Sequence, residues 1–187
     1  AAEMRVGPFE MLHVPGHCPG HVVIRLDDVI FCGDLIVEGV TPHQSPEELT
    51  PFMGVNHYLE SLSLFERWSE GAALILSGHD APIPDLRTRI AEIRSNLSHR
   101  LRQTLDGFSQ PNTVANVCKL LYGEIGGYNS LLVLEKTGAY VEYLYQRGWL
   151  EISNLGELED TPVIRYRCSN SVPETELLPK ERAYVLV

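Results

Sequence analysis

His17, Asp34 and His79 are the residues through which this 187-residue chain could do chemistry. Each follows a short apolar run that ends near a glycine. Phe9–Val14 leads into Pro15-Gly16-His17, Val29–Cys32 into Gly33-Asp34, and Ala72–Leu76 into Ser77-Gly78-His79. Two imidazoles and a carboxylate are a donor set for zinc or another divalent metal. Taken singly, each Gly-His or Gly-Asp pair also fits an ordinary polar loop. A shared site requires the three runs to be strands of one sheet, so that their ends meet at one rim.

The elements that would position these residues can be read from the flanking pattern. Short apolar runs bounded by Gly and Pro read as buried strands, and a terminal glycine permits a sharp turn or a close backbone approach. His17 and His21 are four apart, but Cys18-Pro19-Gly20 between them rules out the helix that would place both on one face. His21 therefore reads as a structural or supporting residue. Residues 22–26 form a further strand, with Asp27-Asp28 as the turn into Val29–Cys32. Residues 36–52 carry Pro42, Pro46 and Pro51 and read as loop. Thr41-Pro42-His43 could line a pocket there, although His43 reads more simply as a solvent-exposed loop residue. Val55, Leu59, Leu62, Phe65 and Trp68 predict a helix over 55–70, with His57 off its apolar stripe and in solvent. The order strand, helix, strand suits a sheet covered by helices.

Beyond Pro84 the pattern becomes helical. Asp85 is a good N-cap, and Leu86, Ile90, Ile93, Leu97, Leu101 and Leu105 mark a long amphipathic helix stopped by Gly107. Arg87, Arg89, Arg94, Arg100 and Arg102 read as covering its other sides, and His99 as surface. Further helices are predicted over 113–122 and 130–147, the latter interrupted near Thr137-Gly138. Two β-like runs follow, at 150–155 and 162–168. Helix, helix and hairpin make a winged-helix arrangement, a module that often reads DNA. Here the later helix carries Glu135, Lys136, Glu142 and Arg147, which cancel, and an acidic loop follows it. That favours packing or dimerisation over phosphate binding. The tail from Ser169 ends apolar, and Ala183–Val187 is expected to lie on a sheet edge or a partner chain.

Composition sets the class. The chain is 44% hydrophobic and 21% charged, an ordinary globular balance. No apolar run approaches the ~20 residues that span a bilayer, and the N-terminus has no signal-peptide pattern. The four cysteines, Cys18, Cys32, Cys118 and Cys168, are scattered, which fits free thiols in a reducing, cytoplasmic setting. The net charge of −10 is uneven, with −9 in residues 1–84 and −1 in residues 85–187. This predicts a domain over 1–84, a second over 85–168 and an arm over 169–187. The acidic first part fits cation binding and disfavours a nucleic-acid surface.

At these residues the chain resembles the metallo-β-lactamase-fold hydrolases. His13-Val14-Pro15-Gly16-His17-Cys18-Pro19-Gly20-His21 looks like the family's third metal motif, in which the residue matching His17 is the ligand. Phe31-Cys32-Gly33-Asp34 looks like the fourth, whose Asp bridges two metals, and Ser77-Gly78-His79-Asp80 like the fifth, whose His binds the second metal. Residues 85–168 resemble the winged-helix-like extension of the branch that includes glyoxalase II-like and endoribonuclease-type relatives. The seven histidines, at 13, 17, 21, 43, 57, 79 and 99, include no His-x-His, so the family's first ligand signature, His-x-His-x-Asp-His, does not occur. Cys18 stands where Thr is commoner, and Leu35 follows the bridging Asp where many relatives have His.

The resemblance implies an α/β (α+β) fold: the C-terminal half of an αββα sandwich followed by a winged-helix-like domain. It implies a hydrolase in which two ions, zinc or alternatively manganese or iron, activate water to attack an ester, thioester, lactam or phosphodiester. Asp34 would be the bridging, catalytic carboxylate, with His17 completing one ion's ligands and His79 the other's. With three ligands split over two ions, it implies weak metal binding and little hydrolysis by this chain alone. Half a sandwich leaves a sheet face bare, so an oligomer is expected, completed by another copy or by the missing N-terminal half. The competing expectation is a non-catalytic interaction or dimerisation module with vestigial ligands.

Overall fold

Five strands form one mixed sheet in the order β1-β2-β3-β4-β5: β1 (Glu3–Val6), β2 (Phe9–His13), β3 (Val22–Leu26), β4 (Val29–Gly33) and β5 (Leu74–Ser77). The computed structural model describes residues 3–157, 163–169, 177 and 178. β1 to β4 are an antiparallel meander, and β5 pairs parallel to β4. The parallel step needs a crossover, as parallel neighbours always do, and helix α1 (Val55–Trp68) lies in that connection. β2, β4 and β5 therefore run in the same direction, and their C-terminal ends share one rim.

The two faces of this sheet differ. Leu12, Val23, Ile30, Cys32 and Ile75 are buried and, with Tyr58, Leu59, Leu62 and Phe65 of α1, make the core of this part of the chain. Each Val, Leu, Ile or Phe among them contributes about 1.5–3 kcal/mol by leaving water. Arg25 of β3 donates to the carbonyls of Trp68 and Glu70 at 3.2 Å each, which satisfies the end of α1 with a cation where the helix dipole favours one. On the opposite face, cross-strand pairing aligns two complete apolar rows. One is Met4, Met11, Ile24, Phe31 and Leu76, and the other is Val6, Phe9, Leu26, Val29 and Leu74. Met4, Val6, Phe9, Phe31 and Leu74 of these rows are exposed.

The long helix, α2, spans Leu86–Gly107, and the Asp85 carboxylate caps it by accepting from the Thr88 amide at 3.1 Å and the Thr88 hydroxyl at 2.8 Å. Those bonds hold the Asp85 carboxyl below its ordinary pKa. The predicted stripe is buried at Ile90, Ile93, Leu97, Leu101 and Leu105. Arg89 departs from expectation. The pattern places it on the solvent sides of the helix, yet it is only 7% exposed. The chain divides into two compact units between Leu97 and Ser98, inside α2.

The second unit contains α3 (Val114–Tyr122), α4 (Tyr128–Gln146) and a two-stranded sheet of β6 (Leu150–Ile152) and β7 (Tyr166–Cys168). α4 is continuous through Thr137-Gly138, where the sequence predicts a break. The Thr137 hydroxyl donates to the Val133 carbonyl at 2.7 Å, and Thr137, Ala139 and Tyr140 are buried, so packing outweighs the low helix propensity of the pair. Both strands are shorter than the apolar runs that contain them. The four cysteines are free thiols. Among the described residues no helix is long and apolar enough to cross a membrane. The expected docking of Ala183–Val187 lies outside the described residues.

Candidate metal centre

Three co-directional strands deliver His17, Asp34 and His79, which sit in the turns after β2, β4 and β5. His17 Nε2 lies 3.5 Å from Asp34 Oδ2, and His79 Nε2 lies 3.5 Å from Asp34 Oδ1. The two imidazoles thus face different oxygens of one carboxylate. Asp34 and His17 are half-buried and His79 is exposed.

Close backbone approaches create this geometry. Gly16 has φ +133°, and a Cβ there would overlap the Tyr58 backbone of α1. The Ser61 hydroxyl donates to the Pro15 carbonyl at 2.6 Å, fixing the same turn against the helix. Gly33 has φ +51°, and its missing Cβ leaves room for His21 Nε2, which a Cβ would meet at 2.9 Å. The Gly78 amide donates to the Gly33 carbonyl at 2.9 Å, tying the β4 and β5 turns together. A side chain at Gly78 would run into Asp34 Oδ1. The Ser77 hydroxyl donates to the His79 carbonyl. These glycines permit what a Cβ forbids.

Other histidines fall into distinct roles. His21 is buried, and its Nε2 lies 3.2 Å from the Cys32 carbonyl, which fits the structural role read from the sequence. Burial, then the neighbouring His17, lowers its pKa. His43 corrects the sequence reading: it is half-buried rather than in solvent, and it lines the cavity beside the site. Its carbonyl also accepts from His17 Nδ1 at 3.4 Å. A carbonyl can only accept, so that contact is a hydrogen bond when Nδ1 carries the proton, the tautomer whose Nε2 has a lone pair for a metal. His57 is likewise not a solvated helix residue. Its Nδ1 pairs with Glu47 Oε1 at 2.6 Å, and its ring meets the edge of Phe52.

The cavity beside the site has a volume of about 450 Å³ and is lined by Val37, Val40, Thr41 and Pro42 together with His17, Asp34, His43, His79 and Asp80. This size suits a small molecule.

The donor set fits divalent metal in one specific sense. A zinc ion holds nitrogen at about 2.0–2.1 Å and oxygen at about 2.0–2.2 Å, so two ligands of one tetrahedral ion stand about 3.4 Å apart. Both N···O pairs are at 3.5 Å, longer than a strong hydrogen bond and close to that separation. Among the described residues no three His, Cys, Asp or Glu side chains group closely enough to hold one ion by themselves.

Residues 1–79 match the family model described as the metallo-beta-lactamase superfamily. The chain is similar to a metallo-beta-lactamase family protein from Thermus thermophilus at 25% identity and a TM-score of 0.69, covering 89% of this chain and 52% of that one. It is also similar to a beta-lactamase domain protein from Burkholderia ambifaria at 26% identity and a TM-score of 0.74, covering 89% and 50%. The chain thus spans about half the length of these two structures. No curated protein matches it. The fold is that of the metallo-beta-lactamase superfamily.

Proposed function

We propose that His17, Asp34 and His79 are the shared half of a binuclear metal centre in a hydrolase acting on a small molecule with an ester, thioester, lactam or phosphodiester bond. The observation that carries this is the placement of two imidazole Nε2 atoms, each 3.5 Å from a different oxygen of one carboxylate. Asp34 would bridge, with His17 on one ion and His79 on the other. Zinc, or alternatively manganese or iron, would supply the Lewis acidity that lowers the pKa of water toward about 7 and polarises the bond under attack. The chain's own contribution is to hold the carboxylate between the two rings and to seat the substrate against Val37, Val40 and Pro42. Each ion receives only two ligands from this chain, so binding is weak and hydrolysis by the chain alone is slight.

Zinc titration against a chromophoric chelator tests this. Saturable binding to the parent chain, lost in a His17→Ala, His79→Ala double variant, is the expected result. No binding above background, or equal binding by the variant, overturns the metal reading and leaves a non-catalytic interaction module. The apolar sheet face is the observation that favours that second reading.

The same face implies a partner in either case. In this chain by itself the occupant is a second copy, because the two unbroken apolar rows leave Met4, Val6, Phe9, Phe31 and Leu74 exposed together on one face. Sedimentation should show a dimer that Phe31→Glu converts to monomer. A monodisperse monomer of the parent chain would refute this.

Residues 85–168 are read as a winged-helix-like packing domain rather than a nucleic-acid reader. Two cations of α4 and its C-terminal cap support this. Arg147 stacks on the Tyr143 ring at 3.5 Å. Lys136 is half-buried, and burial, then Arg100, pushes its pKa down to about 8. Neither is presented to a phosphate backbone.

A further inference from the structure

Arg89 is a buried cation with no place in the apolar stripe of α2. Its guanidinium makes three bonds, and two go to the backbone beside the candidate site. Nε donates to the Val37 carbonyl at 3.0 Å and Nη2 to the Val40 carbonyl at 2.6 Å, while Nη1 meets Glu92 Oε2 at 2.8 Å. The segment it grips has no regular secondary structure, because it lies in the proline-bearing stretch between β4 and α1. Val37 and Val40 line the 450 Å³ cavity, and three residues past Val40 the His43 carbonyl meets His17 Nδ1.

A buried charge costs several kcal/mol unless it is fully hydrogen-bonded. A helix that needed only packing here would carry an apolar residue. Arginine is suited to this position because its planar fork can satisfy two carbonyls at once, which the single ammonium of lysine cannot do with the same geometry. The Tyr58 hydroxyl, donating to the Leu35 carbonyl at 2.9 Å, pins the near end of the same segment.

We propose that Arg89 is a positioning residue: by clamping the Val37 and Val40 carbonyls it holds the segment through His43, so that the His43 carbonyl keeps the proton of His17 on Nδ1 and Nε2 free to bind metal. This rests on the metal reading above for its purpose, but not for its test. Hydrogen exchange and the His17 tautomer are both read on the metal-free chain, so failure of zinc binding and failure of the clamp are separate results.

The variants are Arg89→Met, which removes the fork and leaves no buried charge, and Arg89→Lys, which keeps the cation. Glu92→Gln, on the exposed side of the fork, is the control. Arg89→Met should speed amide exchange in residues 37–43 about 10-fold with the β4 and β5 amides unchanged. Nitrogen-15 imidazole spectra should show His17 losing its Nδ1–H preference. Zinc affinity should fall about 10-fold, the lower end of what loss of an outer partner costs a metal site. Arg89→Lys should lie between, and Glu92→Gln should match the parent. If Arg89→Met does not fold, the Lys variant carries the same readouts. Unchanged exchange in 37–43, exchange raised equally across the sheet, or an unchanged His17 tautomer each overturns the proposal.

Discussion

Asp34→Asn is expected to weaken zinc binding by at least about 10²-fold, beyond the 10–100-fold that loss of an outer partner costs a metal site. Both oxygens of Asp34 face an imidazole at 3.5 Å, so one substitution removes a charged ligand from two places. The metal-free fold should change little. The carboxylate is about one-third exposed, and the ion pairs of such groups contribute roughly 0–1 kcal/mol. Zinc at 100 times its dissociation constant stabilises a protein by about 2.7 kcal/mol, so the parent chain should melt higher in zinc and the Asn variant should not. Gly78→Ala should reproduce part of the loss, about 10-fold, without touching a ligand, because its methyl displaces Asp34 Oδ1. Titration and melting with and without zinc read both effects. A parent-like affinity in Asp34→Asn would show that the carboxylate is not shared.

Gly16→Ala should cost about 3 kcal/mol or more of stability. The new methyl overlaps the Tyr58 backbone, which cannot swing away as a side-chain tip could, and the φ of +133° adds strain for any L side chain. For a unit of this size that corresponds to a fall of about 15 °C in melting temperature. Gly20→Ala, four residues on, is the control: nothing lies within 4 Å of its Cβ, and the melting temperature should move by no more than about 2 °C. Equal effects at the two positions would mean that the approach of the His17 turn to α1 is not tightly packed.

The three candidate positions could be picked out of the chain because the signal is local. An apolar run, a glycine and a metal-binding side chain occur within a few residues, and the three runs point the same way in the sheet, which brings their ends to a common rim. The stripes of α1 and α2 were legible for the same reason. The Gly-His and Gly-Asp resemblance to the metallo-β-lactamase motifs added the pairing of Asp34 with both histidines, and the observed distances are compatible with it.

What the chain could not disclose is what depends on contacts far apart in sequence. Arg89 looks like any solvent-side arginine until its fork is seen on carbonyls 52 and 49 residues away. His43 and His57 look like loop and surface residues because their partners, the His17 ring and the Glu47 carboxylate, lie outside any local period. Gly16 announces a turn, but not that the turn abuts α1. Hydrophobic periodicity records which residues leave water, so it names strands, helices and their inner faces. It carries no record of which polar groups meet once those elements pack. The buried arginine and the contact of His17 with the His43 carbonyl were therefore decided by the tertiary structure.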